Sequence, residues 1–128
     1  MSYYVSTKFD GSFEDAIAKT TDELKKEGFG VLTEIDVKET LKKKLDVDFK
    51  KYKILGACNP GFAHKALQAE DKIGTMLPCN VIVEEHEDGT VEVSAVNPLD
   101  SMQAVENDSL GKIAGEVKSK LEKVIKAI

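Results

Sequence analysis

The sequence contains no arginine and no tryptophan, and all 18 of its basic residues are lysines. No side chain therefore offers the planar fork with which arginine grips a phosphate or a carboxylate at two points. The net charge of −5 also argues against the positive surface that general nucleic-acid binding requires. We expect no nucleic-acid partner, and we expect any phosphate ligand to be held by lysine and backbone N–H groups.

Long apolar runs are absent as well. No stretch approaches the roughly 18 apolar residues that a membrane-spanning helix needs. The first residues lack the basic start and apolar run of a signal peptide. The chain has 2 cysteines, which without an export signal are typical of free thiols rather than a disulfide. These features predict a cytoplasmic protein without a membrane partner.

What the sequence does contain is a series of strand and helix patterns over 128 residues, without a linker or an internal repeat. A chain of this length is typical of one domain. The patterns follow the order β-α-β-α-β-α-β-β-α, which predicts a two-layer α+β sandwich with a mainly antiparallel sheet and helices on one face. We therefore expect a single α+β domain over residues 1–128.

Capping residues and glycines set most of the predicted boundaries. Ser12 is a good N-cap for the first helix, and Gly28 is typical of the residue that ends a helix. Asp36 resembles the first residue of a capping box, which predicts a short lysine-rich helix directly after a second strand over residues 30–36. A third strand is predicted over residues 52–58.

The clearest local signal is Asp88-Gly89, which lies between two β-branched runs. Asp-Gly in this place predicts a β-hairpin with a two-residue type I′ loop. Counting outward from that loop sets Val81 opposite Val96 and Asn80 opposite Asn97. The hairpin thus predicts which residues meet at its open end.

Polar strand ends are predicted to meet at one edge of the sheet. The third strand ends at Cys58, and if it lies antiparallel beside the next strand, its end reaches the open end of the hairpin. Helices begin at Pro60 and Pro98 along the same edge, where their partial positive charge favours an anion. The candidate ligand-binding residues are Cys58, Asn59, Cys79, Asn80 and Asn97.

Each of these residues also has a purely structural interpretation. Cysteines are among the most commonly buried residues, and asparagine before proline is an ordinary helix cap. His64 is expected to face solvent, although Cys58, His64 and Cys79 together could ligate a thiophilic metal such as zinc. Their spacing matches no standard zinc site. His86 lies near the hairpin turn, and the sequence indicates no role for it.

Two motifs carry a family resemblance. They are ILGACNPGFAHKAL over residues 54–67 and GTMLPCNVIV over residues 74–83, and the Asp88-Gly89 hairpin ending in Asn97-Pro98 follows them. Together they resemble the family called domain of unknown function 302 over nearly the whole chain. The resemblance implies a small α+β domain of the TT1751-like fold, and it implies no established activity, substrate or catalytic residue.

Three hypotheses of function follow from the residues. The first is a binding protein that holds a small anionic ligand or a metal at the edge with the two cysteines and three asparagines. The second is an enzyme-type hypothesis, in which Cys58 is a reactive thiol and Cys79 its resolving partner. The third is a homodimeric assembly module without catalysis, which pairs through an exposed sheet edge or through the apolar stripe of a terminal helix predicted from about Ser109 onward. The sequence leaves the identity of the ligand or cofactor open.

Overall fold

The computed structural model describes residues 2–128, and five strands in this range form one sheet. The strand order across the sheet is β1-β5-β4-β3-β2, so that β1 and β2 are the outer strands. Every neighbouring pair is antiparallel, as predicted. The strands are β1 (Tyr4–Phe9), β2 (Gly30–Asp36), β3 (Tyr52–Cys58), β4 (Cys79–Glu85) and β5 (Val91–Val96).

Helices connect most of the strands, and the element order confirms the predicted α+β class. The helices are α1 (Phe13–Lys26), α2 (Val37–Leu45), α3 (Pro60–Ala69), α4 (Pro98–Ser101) and α5 (Asp108–Ala127), and a 3₁₀ helix spans Asp71–Met76. The predicted helix start at Pro98 belongs to the short α4, which is separate from the terminal helix α5, and the 3₁₀ helix is an addition to the predicted order. Within residues 2–128, no helix has the length and apolar character needed to cross a membrane.

The predicted capping residues set the helix boundaries in the structure. Ser12 Oγ accepts a hydrogen bond of 3.0 Å from the N–H of Asp15 in the first turn of α1. Gly28 adopts a φ of +86° just after α1, a conformation that glycine reaches without a Cβ clash. Asp36 Oδ1 accepts a bond of 2.9 Å from the N–H of Glu39 and so begins α2. Local polar groups therefore explain where these elements start and stop.

The core lies between one face of the sheet and the helices α1 and α5. Leu24 of α1 and Leu121 of α5 are fully buried against Val81 and Val93 of the central strands. Burial of an aliphatic side chain of this size contributes about 1.5–3 kcal/mol relative to exposure. Packing on this face therefore holds the helices to the sheet and fixes the position of the strand ends.

The apolar stripe of α5 is used within the chain itself. Its buried residues are Leu110, Ala114, Val117, Leu121, Val124 and Ile125. Since these side chains pack into the cores of the same chain, they are not exposed to pair with a second copy. The part of the assembly hypothesis that used this stripe is therefore wrong.

The hairpin between β4 and β5 has a three-residue loop rather than the predicted two-residue loop. The N–H of His86 donates to the carbonyl of Thr90 at 2.8 Å, and the N–H of Gly89 donates to the carbonyl of His86 at 2.9 Å. Gly89 has a φ of +87°. A turn that ends in a left-handed glycine is a common way to close a three-residue hairpin loop.

This loop shifts the hairpin register by one residue. Val81 faces Ala95 instead of the predicted Val96. Because side chains alternate between the two faces of a strand, a shift of one residue changes which side chains share a face. The predicted pairing of Asn80 with Asn97 is therefore wrong.

Candidate functional site

A cavity of about 330 Å³ lies between one end of the sheet, α3 and α5. The ends of β3 and β4 meet there, with Ala57 directly opposite Cys79. The side chains that line the cavity are those of Phe29, Leu32, Thr33, Ala57, Cys58, Asn59, Phe62, Ala63, Ala66, Leu67, Leu77, Pro78, Cys79, Pro98, Met102, Ile113, Ala114 and Val117.

Small side chains on the two helices leave this space open. α3 presents Ala63 and Ala66 to the cavity, and α5 presents Ala114. Pro60 at the first helical position fixes the start of α3, because its ring pre-sets a helical φ and the N–H that it lacks would have no partner in the helix. α3 thus packs against the end of the sheet, and its short side chains leave the cavity beside it unfilled.

Exposed leucines border the mouth of the cavity. Leu32 is 69% exposed and Leu67 is 44% exposed, although both line the cavity. Leu32 lies where the pairing of β2 with β3 shifts between Val31 and Thr33. An irregularity of this kind redirects a side chain away from the regular alternation. The opening to solvent is therefore apolar like the interior.

The described lining carries no charged side chain. Its polar groups are the Thr33 hydroxyl, the Asn59 amide and the two thiols. Positive charge lies just outside, where the ammonium groups of Lys65 and Lys120 are 5.6 Å and 6.0 Å from the centre of the Phe62 ring. A small ion that entered the cavity would lose water without gaining a full set of polar partners. This lining favours an apolar occupant.

The two cysteines line the cavity together but differ in exposure. Both are free thiols, Cys58 half-buried and Cys79 buried. Burial raises the pKa of the Cys79 thiol from its ordinary value of 9.0 to about 11, and the nearby charge of Cys58 adds to the rise. Cys79 is therefore a neutral thiol at physiological pH. Since the thiolate is the nucleophile, Cys79 is not placed to react at this pH.

Asn59 stands at the start of α3 but does not cap it. Its side chain makes no capping hydrogen bond. Its Nδ2 instead donates a bond of 3.1 Å to the carbonyl of Glu27 at the end of α1. The interpretation of Asn59 as an ordinary cap is wrong, because the amide joins two helices.

Asn80 and Asn97 do not line this cavity. Asn80 follows Cys79 on β4 and points to the opposite face of the sheet, where it is exposed and borders a second cavity of about 390 Å³. Asn97 is buried; its Oδ1 accepts a bond of 3.1 Å from the N–H of Leu99 and its Nδ2 donates one of 3.1 Å to the carbonyl of Ser2. Cys58, Asn59 and Cys79 are thus brought together, and the other two predicted residues are placed elsewhere.

A different set of metal-ligating side chains converges on the second face of the sheet. Within residues 2–128, the ligand atoms of Glu84, His86 and Glu92 all lie within 4.8 Å of one another. The exposed His64 forms no such group with the two cysteines. The two-residue spacing of Glu84 and His86 indicates that they share a face. The place of Glu92 beside them depends on the hairpin register, which the sequence predicted wrongly.

Comparison with known proteins agrees with this fold. Residues 4–128 match the family described as domain of unknown function DUF302. The crystal structure of an uncharacterized conserved protein DUF302 from Bacillus stearothermophilus is similar, with a TM-score of 0.92 and 26% sequence identity, over 99% of this chain and 98% of that chain. No curated protein matches the chain.

Proposed function

The chain belongs to the family of the domain of unknown function DUF302, and we propose that it binds a small, mainly apolar molecule in the cavity between β3, α3 and α5. The observation that carries this proposal is an uncharged lining around a preformed space with an apolar mouth.

The dimensions of the cavity support a small-molecule ligand. Its volume of about 330 Å³ falls within the range of roughly 300–1,000 Å³ that is usual for ligand pockets. Such pockets are mostly apolar and carry a few polar groups that orient the ligand. The polar groups that orient the ligand in this proposal are those of Thr33, Cys58 and Asn59. The apolar part of the ligand then packs against Phe62, Ile113 and their neighbours.

A series of straight-chain alcohols of increasing length tests the proposal. Each buried methylene group contributes about 0.8 kcal/mol, so the affinity should rise about fourfold per added carbon until the cavity is filled. Methyl NMR reports where the alcohols bind, because Ile113 and Val117 line the cavity whereas Val91 and Val93 do not. Shifts confined to the first pair support the proposal. Equal shifts in both pairs, or none, contradict it.

Two leucine substitutions on α3 provide a matched comparison. Ala63→Leu places extra volume in the cavity and should weaken alcohol binding by about tenfold or more, since the ligand and the new side chain compete for one space. Gln68→Leu adds a similar side chain at an exposed position that does not line the cavity, and should leave the affinity unchanged. Equal effects of the two substitutions would contradict binding at this place.

A comparison of the tightest-binding alcohol with the carboxylate of the same chain length tests whether the site favours a negatively charged head group. The first N–H groups of α3 receive no capping bond from Asn59, and Lys65 and Lys120 lie near Phe62. If these groups contribute, the carboxylate binds more tightly than the alcohol, and the original hypothesis of an anionic ligand applies to the ligand's head group. If the alcohol binds more tightly, the apolar lining alone determines the affinity.

A second candidate function is thiol chemistry at Cys58. It is favoured by one observation: Cys58 is a half-buried free thiol on the wall of a cavity that can hold a ligand. The raised pKa of Cys79 speaks against a role for Cys79 as an attacking thiolate at neutral pH. This candidate therefore rests on Cys58 alone.

A further inference from the structure

The second face of the sheet carries a cluster of three metal-ligating side chains near the hairpin turn. Glu84 on β4 lies directly opposite Glu92 on β5. His86 follows two residues after Glu84, and its Nε2 lies 2.9 Å from Oε1 of Glu92. All three residues are half-buried rather than extended into solvent.

This arrangement places two negative charges against each other in the folded chain. Like charges directly opposite each other on antiparallel strands are destabilising. The cluster is balanced by cationic neighbours: Lys50 Nζ lies 2.7 Å from Oε1 of Glu84, and Lys8 lies opposite Glu92 on β1. A metal ion at this cluster would therefore replace part of the positive charge that the lysines supply.

We propose that Glu84, His86 and Glu92 bind one divalent transition-metal ion. Their ligand atoms already lie within 4.8 Å of one another, so that one ion can contact all three after small side-chain movements. Imidazole nitrogen together with carboxylate oxygen suits zinc, iron, nickel or copper better than calcium or magnesium, which prefer oxygen ligands alone. Zinc is the appropriate probe, because it accepts both ligand types without redox chemistry.

Metal binding requires specific changes in this cluster. His86 binds the metal through Nε2 in its neutral form, with its proton on Nδ1, and the His86–Glu92 hydrogen bond is given up. The ion pair between Lys50 and Glu84 competes with the metal for the same carboxylate. Ion pairs near the surface contribute little to stability, so this competition lowers the affinity without abolishing it.

Three protein ligands leave a coordination position open. Sites of this kind keep a water molecule or a substrate at the fourth position of zinc, whereas structural sites are closed by four protein ligands. Glu84 and Glu92 border the cavity of about 390 Å³ on this face, which Tyr3, Tyr4 and Tyr52 also line. The open position is therefore accessible to a small oxygen ligand rather than enclosed in the core.

Zinc titration of the reduced protein tests the inference, with calorimetry and native mass spectrometry as readouts. We expect one equivalent to bind to the full chain and to raise the melting temperature. His86→Gln and Glu92→Gln should each weaken binding by about tenfold or more. Failure of the unsubstituted protein to bind one equivalent would overturn the inference, and so would His86→Gln and Glu92→Gln variants that fold and bind as the unsubstituted protein does.

The chain offers matched controls for both ligand types. It has 2 histidines, so His64→Gln removes the other imidazole and should leave the affinity unchanged. Glu85→Gln makes the same charge change one residue along β4 from Glu84, at a position outside the cluster. A loss of binding in these controls equal to that in His86→Gln would overturn the assignment of the ligands.

Two further measurements separate this site from a surface ion-pair network and from the thiols. Lys50→Met removes the competing cation, and zinc should then bind more tightly; weaker binding would contradict Glu84 as a ligand.

Cobalt replaces zinc as a coloured probe. A cobalt spectrum without sulfur charge-transfer bands supports the site, whereas strong bands of that kind would place the metal at Cys58 or Cys79 and overturn it.

Discussion

The side-chain amide of Asn59 donates a hydrogen bond of 3.1 Å to the backbone carbonyl of Glu27, which lies 32 residues earlier in the chain. The bond joins the start of α3 to the end of α1, directly beside Gly28, whose φ is +86°. An ideal Cβ at Gly28 would lie 3.1 Å from Nδ2 of Asn59. Asn59 thus ties α3 to α1 beside the cavity, whereas the side chain of Asn97 bonds to Ser2 and Leu99 and that of Asn80 is exposed.

We predict that the three asparagines of the original hypothesis differ in their effect on stability. Asn97→Ala should cost about 1–3 kcal/mol, because it leaves buried polar groups without partners. Asn59→Ala should cost about 1 kcal/mol, and Asn80→Ala, at an exposed position, should stay within about 0.5 kcal/mol of the unsubstituted protein. Denaturant unfolding measures all three. A cost for Asn80→Ala equal to that for Asn97→Ala would refute this ranking.

The two thiols should differ in their reactivity toward alkylating reagents. We expect Cys58 to be labelled in the folded protein at neutral pH, since it is half-buried at the cavity wall. Cys79 should be labelled only after unfolding, because it is buried and its pKa is raised to about 11. Mass spectrometry of Cys58→Ser and Cys79→Ser variants assigns each label. Labelling of Cys58 only after unfolding would eliminate the second candidate function.

Cys79 should also make the protein less stable at alkaline pH. Its pKa is about 11 in the folded chain and near 9.0 when exposed, so between these values the unfolded chain releases its proton first. The unfolded state then binds fewer protons than the folded state, and the free energy of unfolding falls as the pH rises through this window. The loss attributable to Cys79 is about 3 kcal/mol, because a shift of one pKa unit corresponds to about 1.4 kcal/mol. It is fully developed above the folded pKa and absent below pH 9.0.

Comparison of variants isolates that effect from the titration of lysines and tyrosines. Cys58→Ser should keep most of the alkaline decline in unfolding free energy, because burial is the larger cause of the raised Cys79 pKa and the charge of Cys58 the smaller one. Cys79→Ala should show a shallower decline, whatever its stability at neutral pH. Identical slopes in Cys79→Ala and the unsubstituted protein would show that burial does not shift the pKa of Cys79.

We predict that a substitution of Thr20 on α1 makes the folded protein more stable. Its side chain is fully buried, and its hydroxyl has no hydrogen-bond partner within the described residues. Thr20→Val replaces that hydroxyl with a methyl group of similar shape and should raise stability by about 1 kcal/mol, since an unsatisfied buried polar group is removed. Thermal unfolding measures the change.

Thr21 provides the control for this substitution on the same helix. Its hydroxyl donates a bond of 2.9 Å to the carbonyl of Ile17. Thr21→Val therefore removes a satisfied hydroxyl and should not stabilise the protein. A Thr20→Val variant that is no more stable than the Thr21→Val variant would mean that the Thr20 hydroxyl finds a partner, such as a water molecule.

Some elements could be read from the sequence because their signals are local. β2 and β3 have the predicted bounds, since capping residues and glycines fix their neighbours without help from distant parts of the chain. The hairpin register could not be read in this way. Asp88-Gly89 fits both a two-residue loop and a three-residue loop with a left-handed glycine. The choice depends on how the two strands pack on α1 and α5.

Part of the candidate site could likewise be predicted from the sequence, and part could not. Cys58 and Cys79 end and begin neighbouring antiparallel strands, so their meeting follows from topology. Asn80 was placed on the wrong side because the prediction followed the strand end and ignored the alternation of faces. The contribution of Ile113 and Val117 to the cavity depends on the packing of α5 across the sheet, which no local pattern contains.

The two proposed sites lie on opposite faces of the sheet, and residues of β4 border both of them. Cys79 faces the apolar cavity, whereas Asn80 and Glu84 border the cavity on the other face. Neighbouring positions of this strand can therefore be changed independently: a substitution at Cys79 alters the apolar cavity, and one at Asn80 or Glu84 alters the cavity on the other face. Two specificities can in this way diverge within a family while a common fold is retained.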